Sequence, residues 1–254
     1  MKNFYKRLTT AVSFLTVLPL PCSAAHIVDS ADLARSFSFF PVAGLIIGAV
    51  CLIPMWILHT VMPPLLGAVL IATLLVLLTR GLHLDGLADL ADGVGGGYTP
   101  ERRLAIMKDS RIGTFGSVAV VLAMLFKVAG LHALIVANCW PPIILTPVFS
   151  RLAMVFTAYK SPYARPEGGL GKPFLEHMST HEPLLAAAFA CAFGLVVAPG
   201  LTLPYLAAVV FCATVFRLLG RHWLGGITGD VLGATNEVGE IFLFTLSACI
   251  VPFL

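Results

Sequence analysis

Seven apolar stretches divide the chain, and each is close to the length of about 20 residues that an α-helix needs to cross a bilayer. They lie at 41–61, 65–80, 114–137, 140–159, 184–201, 203–220 and 239–254. Apolar residues make up 58% of the 254 residues and charged residues only 11%, whereas a soluble domain is about 25% charged. A soluble fold is therefore excluded. The sequence predicts an all-α, polytopic membrane helix bundle of about seven transmembrane helices.

The connections between these stretches alternate in character. Nearly all charged residues lie in the N-terminal segment and in the connections at 81–113, 160–183 and 221–238, and all 13 acidic residues lie on this side. The other connections are short and lack Lys and Arg. Because Lys and Arg mark the cytoplasmic side of a membrane protein, we expect the N-terminus inside, the C-terminus outside and the chemistry on the cytoplasmic face.

The first residues predict a further helix at the membrane surface. Lys2, Lys6 and Arg7 precede an apolar stretch at 8–20, an arrangement that secretory signal peptides share. No good cleavage site follows the stretch. We therefore expect an uncleaved interfacial helix.

Three other classes of protein find no support in the sequence. The net charge is only +3 and no basic block is present, so there is no surface for nucleic acid. A Gly-Lys-Ser/Thr motif is absent, which argues against an ATP-driven pump. None of the six cysteines lies two to four residues from another, as zinc sites require. Most lie in apolar runs, and we predict that they are structural.

The connection after the second stretch carries three regularly spaced carboxylates. Asp85, Asp89 and Asp92 lie at i, i+4 and i+7, which places them within about 60° of one another on a helix. Such a face repels itself unless a cation compensates, and oxygen ligands at a membrane surface suit Mg²⁺ or Mn²⁺. A solvated acidic face is the alternative, but the intervening residues are Gly, Leu and Ala. We predict that the three carboxylates are metal ligands and catalytic.

A second acidic run precedes the last apolar stretch. Asp230, Glu237 and Glu240 are spaced i, i+7 and i+10, again on one helical face. They approach the membrane from the same side as the first run, and two acidic faces at one interface are typical of a binuclear site for phosphoryl chemistry. The sequence therefore predicts that these three residues are further metal ligands.

Basic residues near the acidic runs predict where phosphate binds. Lys108 and Arg111 flank Asp109, which suggests two phosphate clamps around one more metal ligand. Arg165 and Lys172 lie among glycines and would hold a pyrophosphate, although a generic polar loop would look the same. We also expect His83 to orient a carboxylate or phosphate, with a satisfied interfacial histidine as the alternative. Together these residues fit attack of an alcohol on a phosphoryl group.

The same residues belong to motifs that resemble the cobalamin synthase family, whose activity is that of an adenosylcobinamide-GDP ribazoletransferase. The similarity covers nearly the whole chain. The motifs are HLDGLADLADG at 83–93, IMKDSRIGT at 106–114, YARPEGGLG at 163–171 and LGGITGDVLGATNEVGE at 224–240, with FLTVLPLP at 14–21 and FFPVAG at 39–44.

The resemblance implies a late step of vitamin B12 assembly in the bacterial inner membrane, carried out by a single integral-membrane transferase domain over 1–254. In this reaction the ribose 3′-hydroxyl of α-ribazole, or of its 5′-phosphate, attacks the cobinamide-linked phosphoryl group of adenosylcobinamide-GDP and expels GMP. The resemblance further implies Mg²⁺ as cofactor. A homo-oligomer or a complex with other corrinoid-assembly enzymes is compatible with it.

Two alternatives come from other classes of membrane protein. A CDP-alcohol-type phosphotransferase would use similar metals, but its Ala-Arg pair is replaced here by Ala88-Asp89. A cation-coupled transporter would also contain carboxylates. Transporters usually place them at mid-bilayer in repeated halves, whereas these lie at one interface and no repeat is present.

Overall fold

A computed structural model describes residues 2–18, 30–58, 60–165, 167–169 and 171–250. Most of these residues are helical, and they contain no strand, only one isolated bridge between Tyr163 and Ile227. This confirms the all-α prediction. The helices are α1 (Lys2–Leu15), α2 (Ser30–Ser36), α3 (Phe40–Leu58), α4 (Pro64–Leu78), α5 (Leu82–Gly96), α6 (Pro100–Ile106), α7 (Thr114–Val136), α8 (Pro141–Ala158), α9 (Lys172–Glu176), α10 (His181–Val197), α11 (Pro199–Leu224) and α12 (Gly229–Ile250).

A helix forms in each of the seven apolar stretches, but fewer than seven are long and apolar enough to span a membrane. Four qualify by length and composition, namely α7, α8, α11 and the run Ser30–Leu58 that ends in α3. The number rises to five if α4 and α5 form one broken span. Helix α10 has only 17 residues, and α12 contains three carboxylates. The described residues thus contain four or five candidate spans by length and composition, as expected of a multi-pass membrane protein. Cys22 and residues 19–20 and 251–254 of the predicted segments lie outside the described residues.

A sharp turn separates α4 from α5. Arg80 and Gly81 both adopt left-handed backbone conformations, with φ of 55° and 67°, and glycine takes such a conformation at little cost. The helix axes therefore differ by 87°. If α4 crosses the membrane, α5 lies along its surface, and the acidic face of α5 lies there with it.

Close glycine contacts place α5 against the start of α12. A Cβ atom on Gly86 would lie 2.9 Å from the backbone oxygen of Asp230, and one on Gly233 would lie 3.2 Å from the backbone of His83. Only glycine permits this approach of two backbones. The two acidic segments, about 140 residues apart in sequence, are therefore neighbours in space.

Helix α8 occupies the centre of the bundle. Gly44 and Gly48 of α3 pack directly on its backbone, and a Cβ atom on Gly48 would lie 2.7 Å from the carbonyl oxygen of Ile144. Small residues commonly allow such contacts between membrane helices. Helix α1 packs on the outside of α2 and α3, where the Lys6 ammonium lies 2.6 Å from Asp32. The predicted N-terminal helix is thus present and attached to the bundle.

Candidate active site

A cavity of about 200 Å³ lies where α5 meets the start of α12 and the loop between α8 and α9. One part of its wall is polar and the other is aromatic. The polar residues that line it are His83, Asp85, Tyr163, Arg165 and Asp230, and the aromatic residues are Phe14, Phe37, Phe40 and Phe174.

The backbone of two connecting loops positions Arg165 beside Asp230. Tyr163 and Ile227 form a parallel bridge, so the segment before α9 lies along the segment before α12. The Arg165 guanidinium then donates to a carboxylate oxygen of Asp230 at 2.6 Å, and the Thr228 hydroxyl donates to the same oxygen at 3.2 Å. An arginine from the middle loop and a carboxylate from the second acidic run thereby form one side of the cavity.

Asp85 and Asp89 of α5 lie opposite this pair and leave the site with excess negative charge. Burial, together with the nearby carboxylates of Asp230 and Asp85, raises the pKa of Asp89 to about 7. Burial also raises the pKa of Asp230, against the opposing effect of Arg165. Carboxylates that disfavour ionisation in this way would be stabilised by a bound cation.

The carboxylates do not already converge on one point. Among the described residues, no group of three His, Cys, Asp or Glu side chains is arranged to hold a metal ion. The carboxylate oxygens of the site nevertheless fit Mg²⁺. This ion prefers oxygen ligands and is commonly held by only one or two carboxylates together with substrate phosphates and water.

Asp92 contacts the start of α7 and not the cavity. Its two carboxylate oxygens accept hydrogen bonds from the backbone N–H groups of Gly113 and Gly116, at 2.6 and 2.8 Å. These donors belong to the first turn of α7, where N–H groups lack partners within the helix. Asp92 therefore caps α7 and does not line the cavity, and we propose this structural role in place of the predicted catalytic and metal-binding roles.

Glu237 and Glu240 also lie apart from the predicted metal site. Both carboxylates accept from the Lys127 ammonium at 2.6 Å, and Glu240 also pairs with Arg151. All four side chains are almost completely buried. Because two cations already balance these two carboxylates, we propose a structural role for Glu237 and Glu240 in place of the predicted metal binding. The network thereby pairs the buried cations of α7 and α8, Lys127 and Arg151.

The basic residues of the 106–114 motif are exposed and lie outside the cavity wall. Both carboxylate oxygens of Asp109 accept from the Arg111 guanidinium, and this hydrogen bonding lowers the pKa of Asp109 to about 2. Lys108 pairs with Glu167. The structure thus does not bring Lys108, Asp109 or Arg111 to the cavity, and the predicted metal role of Asp109 has no support from this position.

Lys172 likewise has its partner elsewhere. Its ammonium lies 3.6 Å from Glu176, one turn further along α9, and the side chain does not line the cavity. Its neighbour Gly171 does. Among the described residues, Arg165 is therefore the only predicted lysine or arginine contact to phosphate that lines the cavity.

His83 is the most unusual polar residue of the site. Its side chain is only 1% exposed, and neither ring nitrogen has a hydrogen-bond partner among the described residues. Buried polar groups are normally paired. The predicted alternative of a satisfied interfacial histidine is therefore wrong, and the ring remains available to a ligand in the cavity.

Sequence reasoning did not assign the aromatic residues of the cavity to the site. Phe14, Phe40 and Phe174 come from three distant segments, and each looks like an ordinary core residue when considered alone. Their occurrence in or beside the motifs at 14–21, 39–44 and 163–171 was the only available signal. Asp85 also lines an open groove of about 820 Å³ between α1, α5 and α7, which no sequence pattern predicted.

Comparison with known proteins gives consistent matches over nearly the whole chain. The family model described as cobalamin-5-phosphate synthase matches residues 7–248. A protein of Syntrophobacter fumaroxidans named adenosylcobinamide-GDP ribazoletransferase is 54% identical over 94% of this chain and 97% of its own length. Proteins of the same name from Chlorobaculum tepidum and Geotalea daltonii are 39% and 37% identical, over 95% and 94% of this chain and 94% and 95% of their own lengths.

No solved structure shows a significant match. The matches confirm the resemblance identified from the motifs, and they confirm the expectation of an enzyme because the relatives carry the name of a transferase. The chain belongs to the cobalamin-5-phosphate synthase family.

Proposed function

We propose that the chain transfers the adenosylcobinamide-phosphate group of adenosylcobinamide-GDP to the ribose 3′-hydroxyl of α-ribazole or α-ribazole 5′-phosphate, with release of GMP. The observation that carries the proposal is the cavity in which Asp85 meets the Arg165–Asp230 pair, with Asp89 close enough behind the wall to sense the charges of all three. The names of the relatives supply the substrates. The reaction is a late step of cobalamin biosynthesis.

The acidic residues of the cavity suit a magnesium-dependent reaction. Asp85, Asp89 and Asp230 are the residues that would hold Mg²⁺. When bound, the ion would neutralise charge on the phosphate oxygens of the donor. The part of the chain that holds these carboxylates is positioned by backbone contacts between α5 and α12, so the site does not depend on the side chains alone.

The remaining residues bind and orient the reactants. Arg165 can exchange its carboxylate partner for the diphosphate of the donor, because a guanidinium binds phosphate and carboxylate with the same geometry. A carboxylate of the acidic group accepts the proton of the 3′-hydroxyl. The hydroxyl oxygen forms a bond to the cobinamide-linked phosphorus, the bond from this phosphorus to the bridging oxygen breaks, and GMP leaves with the electron pair.

We further propose that the protein resides in the bacterial inner membrane with this cavity on the cytoplasmic side. All three long connections that hold most Lys and Arg residues contribute residues to the cavity, and such connections remain in the cytoplasm. Nucleotide substrates are available on that side.

A reconstituted transfer assay tests the proposed function. The purified protein is incubated with adenosylcobinamide-GDP, α-ribazole and Mg²⁺, and GMP release is measured. We expect GMP release that Asp85→Asn reduces at least a hundredfold and that the matched variant Asp109→Asn leaves within about twofold. No GMP release by the wild-type protein, or equal activity of both variants, would contradict the proposal.

A further inference from the structure

We infer that the aromatic part of the cavity binds the benzimidazole base of the acceptor, whereas the donor lies in the open groove on the other side of Asp85. This inference rests on the proposed function. It assigns the acceptor base to the aromatic part of the cavity and the body of the donor to the groove, with the donor diphosphate between them beside Asp85 and Arg165. The four phenylalanines then form a binding site for an apolar ring system.

The aromatic wall is one continuous cluster built from distant parts of the chain. The ring centroid of Phe174 lies 4.8 Å from those of Phe14 and Phe37 and 6.1 Å from that of Phe40. Phe37, Phe40 and Phe174 are at most 2% exposed, yet all four rings line the cavity. Rings that lie next to an enclosed space and pack tightly on one another form a rigid surface on which a planar ligand can stack.

The composition of this wall favours the acceptor base over guanine. The side chains of Met154 and Leu232 lie in the cavity wall with the phenylalanines. His83 is a buried polar side chain in the same wall. Guanine has hydrogen-bonding groups on several edges, and burial without partners would cost free energy for each of them. A benzimidazole attached to ribose through one nitrogen has an apolar edge and only one free ring nitrogen, so its burial leaves a single polar atom to be paired. The unpaired nitrogens of His83 remain available to the attached ribose.

The volumes of the two compartments also separate the substrates. The aromatic cavity holds about 200 Å³, which is below the range of about 300–1,000 Å³ for sites of drug-sized ligands and far too small for a corrinoid ring. The open groove holds about 820 Å³. Phe14, Leu82 and Asp85 line both spaces. A base in the cavity and a donor in the groove would therefore bring the 3′-hydroxyl and the phosphoryl group together at Asp85.

Steady-state kinetics of two matched variants test this assignment. Phe174→Ala removes a ring from the cavity, and Ile112→Ala removes an apolar side chain from the groove. We expect Phe174→Ala to raise the KM for α-ribazole about tenfold or more while the KM for adenosylcobinamide-GDP stays within twofold. Ile112→Ala should raise only the KM for the donor. A rise of the donor KM in Phe174→Ala would instead place guanine in the cavity and overturn the inference.

Direct binding separates this inference from the proposed function. Calorimetric titration of the protein with α-ribazole alone requires no turnover, and Phe174→Leu provides a variant that keeps most of the volume if Phe174→Ala does not fold. We expect α-ribazole to bind the wild type and to bind both variants more weakly. Equal binding to the wild type and Phe174→Leu, or no binding to the wild type, would refute the inference. Absence of GMP release would refute only the proposed function.

Discussion

Removal of the Asp92 carboxylate should destabilise the fold and should not act as a loss of catalysis. Asp92→Ala deletes both acceptors of the Gly113 and Gly116 N–H groups. Loss of a helix cap costs about 0.5–2 kcal/mol, and a hydrogen bond to a charged group contributes about 1.5–3 kcal/mol. Because Asp92 is half-buried and both bonds are lost, we expect a loss of about 2–4 kcal/mol. Asp92→Asn keeps one acceptor oxygen and should lose about half of this.

A thermal unfolding assay with a thiol-reactive dye measures this effect. Cys51 and Cys212 are free and buried, so they react when the bundle opens. For a chain of this size, 1 kcal/mol corresponds to about 2–4 °C in Tm, and Asp92→Ala should therefore unfold roughly 4–16 °C below the wild type. Asp109→Ala, which removes an exposed carboxylate, is the matched control and should change Tm by less than about 2 °C.

Comparison with an α5 variant completes the test. Asp85→Asn should abolish transfer and leave Tm unchanged or higher, because it removes one member of a repelling group. Asp92→Ala should show the opposite behaviour, with transfer preserved below its lowered Tm. Loss of transfer in Asp92→Ala at an unchanged Tm would refute the assignment of Asp92 as a cap and restore it to the catalytic group.

Three further predictions concern the bundle and its orientation. Lys127→Met should lower the free energy of unfolding by about 3–5 kcal/mol, because it leaves a buried carboxylate without its cation. The double variant Lys127→Met with Glu237→Gln should recover much of this loss, as measured by thermal unfolding. Gly44→Ala should lower Tm because its Cβ atom would overlap the α8 backbone, and Gly200→Ala, which meets nothing within 4 Å, should not. In a variant without native cysteines, Tyr98→Cys should be inaccessible to an impermeant thiol reagent in intact cells. Labelling there from outside would contradict the proposed orientation.

The apolar stretches predicted the helices well because each depends only on local sequence. The count of spans could not be predicted, because it depends on where helices bend. The turn at Arg80 and Gly81 redirects the chain by 87°, and a single left-handed glycine has no hydropathy signal. The glycines that bring α5 onto α12 likewise have meaning only once both backbones are placed.

The site was predictable where chemistry and spacing are local, and not where partners are distant. Spacing placed Asp85 and Asp89 on one helical face, and the structure brings Asp230 beside them. The same spacing included Asp92, whose N–H partners lie more than 20 residues away. The spacing of the second acidic run likewise included Glu237, whose partner Lys127 is 110 residues away. Periodicity indicates a shared face, but it does not tell which neighbour that face meets.

Direct measurement of divalent-cation binding tests the central claim most closely. Mn²⁺ can substitute for Mg²⁺ at oxygen ligands, and electron paramagnetic resonance separates free from bound Mn²⁺ in a titration with adenosylcobinamide-GDP present. We expect the Kd for Mn²⁺ to rise at least tenfold in Asp85→Asn, Asp89→Asn and Asp230→Asn and to stay unchanged in Asp109→Asn. Unchanged affinity in the first three variants, or a loss confined to Asp109→Asn, would contradict a cation site between α5 and α12.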